Sequence, residues 1–245
     1  MTDDPTVGMA YGRVSVAPAS FLKDAFVTVL RRETTDSPVR ETLAGEAPGL
    51  LKRIVFRGSV GSDYGKNLRW RLETLLGQTG GELHSRNQIM NVPSEWFSNR
   101  EPGHTEILHE YFVPSGKLAG FFEKARPILL RHHCDLLNIT IRAVEKDEVT
   151  ALNYAREEVF GLVMLFHQRC DESSEAAMAS LSRDLIDAAL DCGGTYYLPY
   201  RPHATVEQFR RAYPQAKAFF EQKRRYDPNG IFRNQYFAKY GELGR

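Results

Sequence analysis

The stretch Thr105-Glu106-Ile107-Leu108-His109-Glu110-Tyr111-Phe112-Val113 decides the fold. Successive side chains of a strand point to opposite faces, so Ile107, His109, Tyr111 and Val113 share one side of an extended segment that Pro114 stops. Gly116 to His132 follows with a helical stripe of Phe121, Phe122, Ala125, Ile128 and Leu129, and Pro127 inside it is expected to kink the helix. Asp135 to Glu145 alternates again: Leu137, Ile139, Ile141 and Ala143 oppose Asn138, Thr140 and Arg142. Val159 to Phe166 is apolar on both faces apart from Gly161, which reads as a central strand covered on both sides. Ser173 to Asp191 is a helix with Met178, Leu181, Leu185, Ala189 and Leu190 on its buried stripe, closed by Cys192-Gly193-Gly194, and Thr195 to Leu198 is a short strand. The order strand, helix, strand, strand, helix, strand over 105–199 is the split βαβ pattern of a ferredoxin-like α+β unit. Such a unit has an antiparallel sheet with helices on one face. Its other face must be covered by the rest of the chain or by a partner.

On the N-terminal side, Val7 to Val16 reads as a strand, and Phe21 to Leu30 is an apolar stretch. Glu33 to Gly49 is polar and carries Pro38, Gly45, Pro48 and Gly49, a loop composition. Lys52 to Val60 reads as a short strand with Ile54 and Phe56 on one face, and Lys66 to Leu76 as a helix. Residues 77–104 are loop-rich. On the C-terminal side, helices at about 205–212 and 215–225 are separated at Pro214, and Asp227-Pro228-Asn229-Gly230 is a turn. The chain divides into an irregular first part (1–104), the split βαβ core (105–199) and C-terminal helices with a tail (200–245).

Composition narrows the function classes. The chain has 245 residues, 42% hydrophobic and 26% charged, with a net charge of +1 from 32 basic and 31 acidic residues. That balance lacks the basic excess of a nucleic-acid binder. No apolar run approaches the ~18 residues of a membrane span. The start Met1-Thr2-Asp3-Asp4-Pro5 is polar and acidic, unlike a secretory signal, and three scattered cysteines, Cys134, Cys170 and Cys192, make no disulfide framework; a cytoplasmic location is the expectation.

Cofactor motifs are sparse. Gly58 to Asn67 lies between a strand and a helix and has glycines and a lysine, but three residues, not four, separate Gly61 from Gly65. Asn67 also cannot supply the hydroxyl that a phosphate loop gives to Mg²⁺, so a plain connection is expected. The seven histidines show no HxxxH or HExxH spacing, and no metal site is expected. Arg142 stands mid-strand beside Asn138 and Thr140, either on a solvated polar face or as a guanidinium fork in a substrate pocket. Gly194 to His203 crowds three tyrosines, an arginine and a histidine into a strand end, which suits either aromatic packing or a polyhydroxyl or aromatic ligand.

At these residues the chain resembles the C-terminal cap domain of FAD-linked oxidases and dehydrogenases of the vanillyl-alcohol oxidase superfamily, sugar-lactone and alditol oxidases among them. The resemblance is carried by Gly193-Gly194-Thr195-Tyr196-Tyr197-Leu198-Pro199-Tyr200-Arg201-Pro202-His203, Phe209 to Pro214, and Lys223 to Tyr236 with its Asp227-Pro228-Asn229-Gly230-Ile231-Phe232-Arg233-Asn234 run. His109 to Pro114, Ile141-Arg142 and Val7 to Arg13 add to it in order. It implies a cap that shapes the substrate site over a flavin, an alcohol or sugar-like CH–OH substrate, and FAD held mainly by a separate FAD-binding domain or subunit. It also implies Arg142 and Arg201 as substrate contacts and Asn234 toward the cofactor; Tyr197 and Tyr111 are further candidate substrate contacts, and His203 is the candidate base because histidine titrates near neutral pH. Ala204-Thr205-Val206 replaces the family's Trp-Gly-Lys, which puts sugar-alcohol specificity in doubt. A chain of this kind is expected to be silent alone, with an apolar docking surface hidden by its partner or by self-association. The alternative is a non-catalytic binding module that kept the cap fold.

Overall fold

A computed structural model describes residues 4–33, 50–76, 83, 85–91 and 101–241. The loop read at Glu33 to Gly49 lies, beyond Glu33, outside the described residues, as does most of the loop-rich segment 77–104. The strands are β1 (Val7–Val14), β2 (Ala25–Arg31), β3 (His104–Pro114), β4 (Asp135–Val144), β5 (Val159–Arg169) and β6 (Thr195–Tyr196). The helices are α1 (Leu50–Arg57), α2 (Asp63–Leu76), α3 (Arg86–Met90), α4 (Leu118–Arg131), α5 (Glu172–Asp191), α6 (Val206–Ala212), α7 (Ala216–Tyr226) and α8 (Gln235–Tyr240). All six strands join one antiparallel sheet in the order β2-β1-β4-β5-β3-β6. Within it, β4-β5-β3-β6 with α4 and α5 is the split βαβ unit read from 105–199, so the fold is ferredoxin-like α+β.

β3 and β5 pair over their full length, from His104↔Arg169 to Pro114↔Val159. That register assigns every side chain to a face. Ile107, His109, Tyr111 and Val113 meet Leu162, Met164 and Phe166 under α4 and α5, with Phe121, Ala125, Leu129, Met178, Leu181 and Leu185 completing the core. Pro127 lies within α4, which runs through it. α5 ends in a Schellman motif: Gly193 has φ +80°, its N–H bonds Leu190, and the Gly194 N–H bonds Ala189 at 2.8 Å. Gly194 cannot carry a side chain, since a Cβ there would sit 2.1 Å from the Phe112 carbonyl oxygen.

The first part of the chain departs from its reading at α3, a short helix within the segment read as loop-rich, and at α1. Residues 50–57 form the helix α1, not a strand. Phe56 is buried at 5% exposure while Ile54 is 57% exposed, because residues two apart point to nearly opposite sides of a helix. β1 and β2 extend the sheet through β4, with Gly12 opposite Ile141.

α1 and α2 cover part of the second face through ionic contacts. β4 carries a bulge at Leu137, between Leu136↔Phe166 and Asn138↔Leu165. A bulge leaves a residue out of the ladder. Here Arg69 of α2, 6% exposed, donates to the Leu137 carbonyl at 2.8 Å and to Glu73 at 2.7 Å, and its guanidinium lies 4.6 Å from the Phe56 ring centroid. Glu73 also accepts from Arg13 of β1 at 2.9 Å, Arg57 pairs with Glu106 of β3 at 2.6 Å, and Lys66 with Asp135 at 2.6 Å. Removing one member of a buried charged set costs about 3–5 kcal/mol, because its partners stay buried. Arg69→Ala is therefore expected to lower unfolding stability by about 3 kcal/mol in denaturant titration. Arg69→Lys should recover only part of it, since one ammonium does not span both acceptors.

Candidate functional site

The face turned away from α4 and α5 is built in rows. Arg142 lies opposite Gly161, and Gly161 opposite Phe112; the next row is Thr140, Val163 and Glu110. Tyr197 continues that row, its N–H bonding the Glu110 carbonyl at 2.9 Å. Gly161 is the low point. A Cβ there would meet Phe112 Cε1 at 3.2 Å and Glu110 Oε1 at 3.4 Å, so the missing side chain leaves a notch that Phe112 and Glu110 lean over. Arg142 is exposed, and among the described residues it makes neither an ion pair with Glu110 nor a side-chain hydrogen bond.

Aromatic rings wall this notch on one side. Phe112 and Tyr154 stack with centroids 4.0 Å apart. Tyr197 meets Tyr154 edge-on at 5.6 Å and Tyr200 meets Tyr197 at 5.2 Å. Thr195 holds the segment by donating to the Tyr154 carbonyl at 2.7 Å. Burial among these rings raises the Glu110 carboxyl above its ordinary range, and the Arg142 cation partly opposes the shift. Burial and the Glu110 charge likewise raise the Tyr200 hydroxyl. The patch thus gathers one guanidinium, one carboxyl and three phenols, Tyr154, Tyr197 and Tyr200.

His203 lies elsewhere, while Arg201 stands at the sheet edge, where it borders a small pocket with Glu110, Tyr197 and Tyr200. β6 is the edge strand, and the chain after it turns over that edge onto the helix-covered side. There Glu175 of α5 accepts from His203 Nε2 at 2.9 Å and pairs with Arg201. The His203 ring sits edge-on to His109, 6.0 Å away, on the face that carries the core. Its Nδ1 is buried without a hydrogen-bond partner among the described residues. This corner also holds a shallow cleft of about 650 Å³, bordered by Thr105, Gln168, Glu175, Arg201 and His203. The segment is pinned by the C-terminal helices. Tyr213 donates its hydroxyl to the Tyr196 carbonyl, Tyr240 to Ala204 at 2.8 Å, and Lys239 to Pro202 at 2.6 Å.

Of the candidates from sequence, Arg142 and Tyr197 come together on the open patch. Arg201 and His203 are joined through Glu175 at the sheet edge, and Arg201 also borders a small pocket with Tyr197. Tyr111 is 1% exposed in the core and bonds His109 Nδ1 at 3.1 Å through its hydroxyl, so it presents no atom to a ligand. Asn234 is the N-cap of α8, accepting from Phe237 N–H at 2.7 Å. In the 58–67 loop, Gly61 N–H goes to Asp135 at 2.8 Å and Gly65 N–H to Ser62 at 3.0 Å. Glu110 was missed from sequence, although the alternation that put His109 and Tyr111 inward already placed Glu110 on the opposite face. Gly161, a glycine in a central strand, was the other signal.

No protein-family model and no curated protein matches the chain. Among solved structures, the chain is similar to a 4-ethylphenol oxidase from Gulosibacter chungangensis in complex with isoeugenol, at 18% identity and a TM-score of 0.42. The match covers 91% of this chain and 35% of that one, so the chain spans about a third of that structure's length. No helix among the described residues is long and apolar enough to cross a membrane.

The buried histidines set an acid limit. Burial, then the charges of His203 and Arg201, lowers His109 to about 3, and burial, then the cations of Arg201, Lys239 and Arg183, lowers His203 to about 4. Both fall from 6.5. The unfolded chain therefore binds these protons first, so the stability they lend is complete above pH 6.5 and drains away as the pH falls toward about 4. Thermal melts across this range should show a falling Tm, and His109→Gln should flatten the fall.

Proposed function

We propose that the chain is the substrate-binding cap portion of an FAD-dependent oxidoreductase acting on an alcohol or sugar-like CH–OH group, with the flavin supplied by another domain or chain. The observation that carries this reading is the open patch over Gly161, where Arg142 and Glu110 flank a glycine notch beside Tyr154, Tyr197 and Tyr200. It is supported by the resemblance of 193–203 and 223–236 to that family's cap.

In this reading Arg142 directs its donor fork to a substrate oxygen, and Tyr197 and Tyr200 align neighbouring hydroxyls. Glu110, whose carboxyl burial raises above its ordinary range, accepts the hydroxyl proton. His203 and Arg201, locked onto Glu175, act as positioning residues that hold the 197–203 turn against the sheet edge. A flavin held by another domain or chain would supply hydride acceptance. Gly61 N–H is held by Asp135, Gly65 N–H by Ser62, and the Asn234 side chain caps α8, so these groups would not hold its diphosphate. The FAD-binding domain or subunit is the expected partner. Exposed Tyr226, Ile231 and Phe232 offer apolar surface for it or for self-association.

Mixing the chain with the FAD-binding domain of an alditol or sugar-lactone oxidase should shift that domain's visible flavin bands, while free FAD mixed with the chain alone should stay unchanged. A chain that purifies yellow with stoichiometric FAD, or one that leaves the domain's spectrum untouched, would count against the reading. The second result would favour a non-catalytic binding module.

In an assembled enzyme, Arg142→Ala should cut kcat/KM by about 10- to 100-fold, the worth of a charged hydrogen bond of about 1.5–3 kcal/mol. Its Tm should move little, because Arg142 holds nothing in place. Equal loss of Tm and activity would make Arg142 a structural residue.

A further inference from the structure

The sheet ends on one side in a strand that the oxidase reading leaves unused. β2 is outermost in the strand order, and among the described residues no strand pairs with its far edge, so a row of backbone N–H and C=O groups faces outward. Edge strands are ordinarily guarded by proline, a bulge or a charge in mid-strand. Ala25-Phe26-Val27-Thr28-Val29-Leu30-Arg31 has none of these before Arg31, since the irregularity of its ladder lies in β1, between Val7 and Met9. On one face Phe26 meets Trp70 of α2, with 5.3 Å between ring centroids, which steadies the strand. On the other, Val27 lies in the row of Gly12 and Ile141, the side of α4 and α5. Those helices leave the valines open to water: Val27 is 67% exposed and Val29 45%.

We propose that β2 is the interface of a homodimer, pairing antiparallel with the β2 of a second copy about a twofold axis through Thr28. Thr28 then faces its own copy, Val27 the partner's Val29, Phe26 the partner's Leu30 and Ala25 the partner's Arg31. Arg31 is paired with Asp4 of its own chain at 3.0 Å, and this register leaves that pair intact. Just outside the strand Asp24 meets the partner's Arg32, and both positions are exposed. The twofold repeats every contact, so four valines form one apolar cluster and an ion pair closes each end of it. Neighbouring registers lose this match. An axis through Val27 sets Asp24 against the partner's Leu30, and one through Val29 sets Val27 against the partner's Arg31 and Phe26 against the partner's Arg32. The occupant is a second copy because the edge is complementary to itself in charge and in side-chain type. The two six-stranded sheets join into one. With strands about 4.8 Å apart, the two Gly161 notches, seven strand spacings from each other, stand roughly 34 Å apart on the same face, clear of the interface.

Sedimentation velocity of the full chain, over a concentration series from micromolar to millimolar, should show a monomer–dimer equilibrium. Val27→Lys puts a charge into the valine cluster at an exposed position. It should leave a folded monomer, with the far-UV circular dichroism and Tm of the parent's monomeric form. Asp24→Arg should weaken dimerisation roughly fivefold or more, since repulsion replaces two surface ion pairs. Adding Arg32→Asp to Asp24→Arg restores the complementarity and should restore dimerisation. Phe232→Ser, in the exposed apolar group after α7, should dimerise as the parent does. A parent that stays monomeric throughout the series overturns the interface. So does a dimer indifferent to Val27→Lys, or one indifferent to Asp24→Arg, or an Asp24→Arg chain that Arg32→Asp fails to rescue while both remain folded. A dimer lost in Phe232→Ser alone also overturns it, and places the contact after α7 instead.

Discussion

The bond from the Arg69 guanidinium to the Leu137 carbonyl is the contact on which the two-sided sheet depends. The bulge at Leu137 lets two consecutive leucines, Leu136 and Leu137, both be buried. It also releases a carbonyl from the ladder inside the protein, where an unpaired acceptor costs about 1–3 kcal/mol. Arg69 answers that acceptor and in doing so fixes α2 across the sheet. Glu73 then bridges Arg69 and Arg13, whose guanidinium burial and the neighbouring Arg69 charge bring down to about 10 even against the Glu73 carboxylate. The cover on this face therefore combines charge pairs with the buried Phe56 and the Phe26–Trp70 contact, while the cover on the other is hydrocarbon.

That difference explains why the second face is only half closed. α4 and α5 bury an apolar layer, and such a layer gains with every ångström squared removed from water. α1 and α2 approach through specific charge pairs, Arg57 with Glu106 and Lys66 with Asp135, which are satisfied locally and exert no pull beyond their own reach. Past the row of Thr140 and Val163 those pairs run out. The rows of Arg142, Gly161, Phe112 and Glu110 are left to the tyrosines and to whatever binds there.

The core unit was legible in sequence because its strands and helices carry one clean period each. β3, β4 and α5 were found within a residue or two at most ends, and the face assignment of Ile107, His109, Tyr111 and Val113 followed from alternation alone. α1 was misread because Ile54 and Phe56 are two apart, which fits a strand when the segment is short. The charged partners that make it a helix, Glu106 and its neighbours, lie some 50 residues away. The separation of His203 from Arg142 was illegible for another reason. β6 lasts two residues, and from there Pro199 and Pro202 carry the chain around the edge without any period. Sequence proximity of Tyr197 and His203 therefore says nothing about which face each one reaches.

The charges on the open patch constrain what can sit there. Arg142 and Glu110 oppose one another across Gly161, so the notch carries a cation and an anion with little net charge. An anionic ligand gains from Arg142 what it loses against Glu110, and a cation meets the reverse. A neutral hydroxyl uses both, accepting from the guanidinium and donating to the carboxylate, and it adds no charge to be desolvated. Seating such a ligand would exclude water from Glu110 further and push its carboxyl higher still, in the direction burial already drives it.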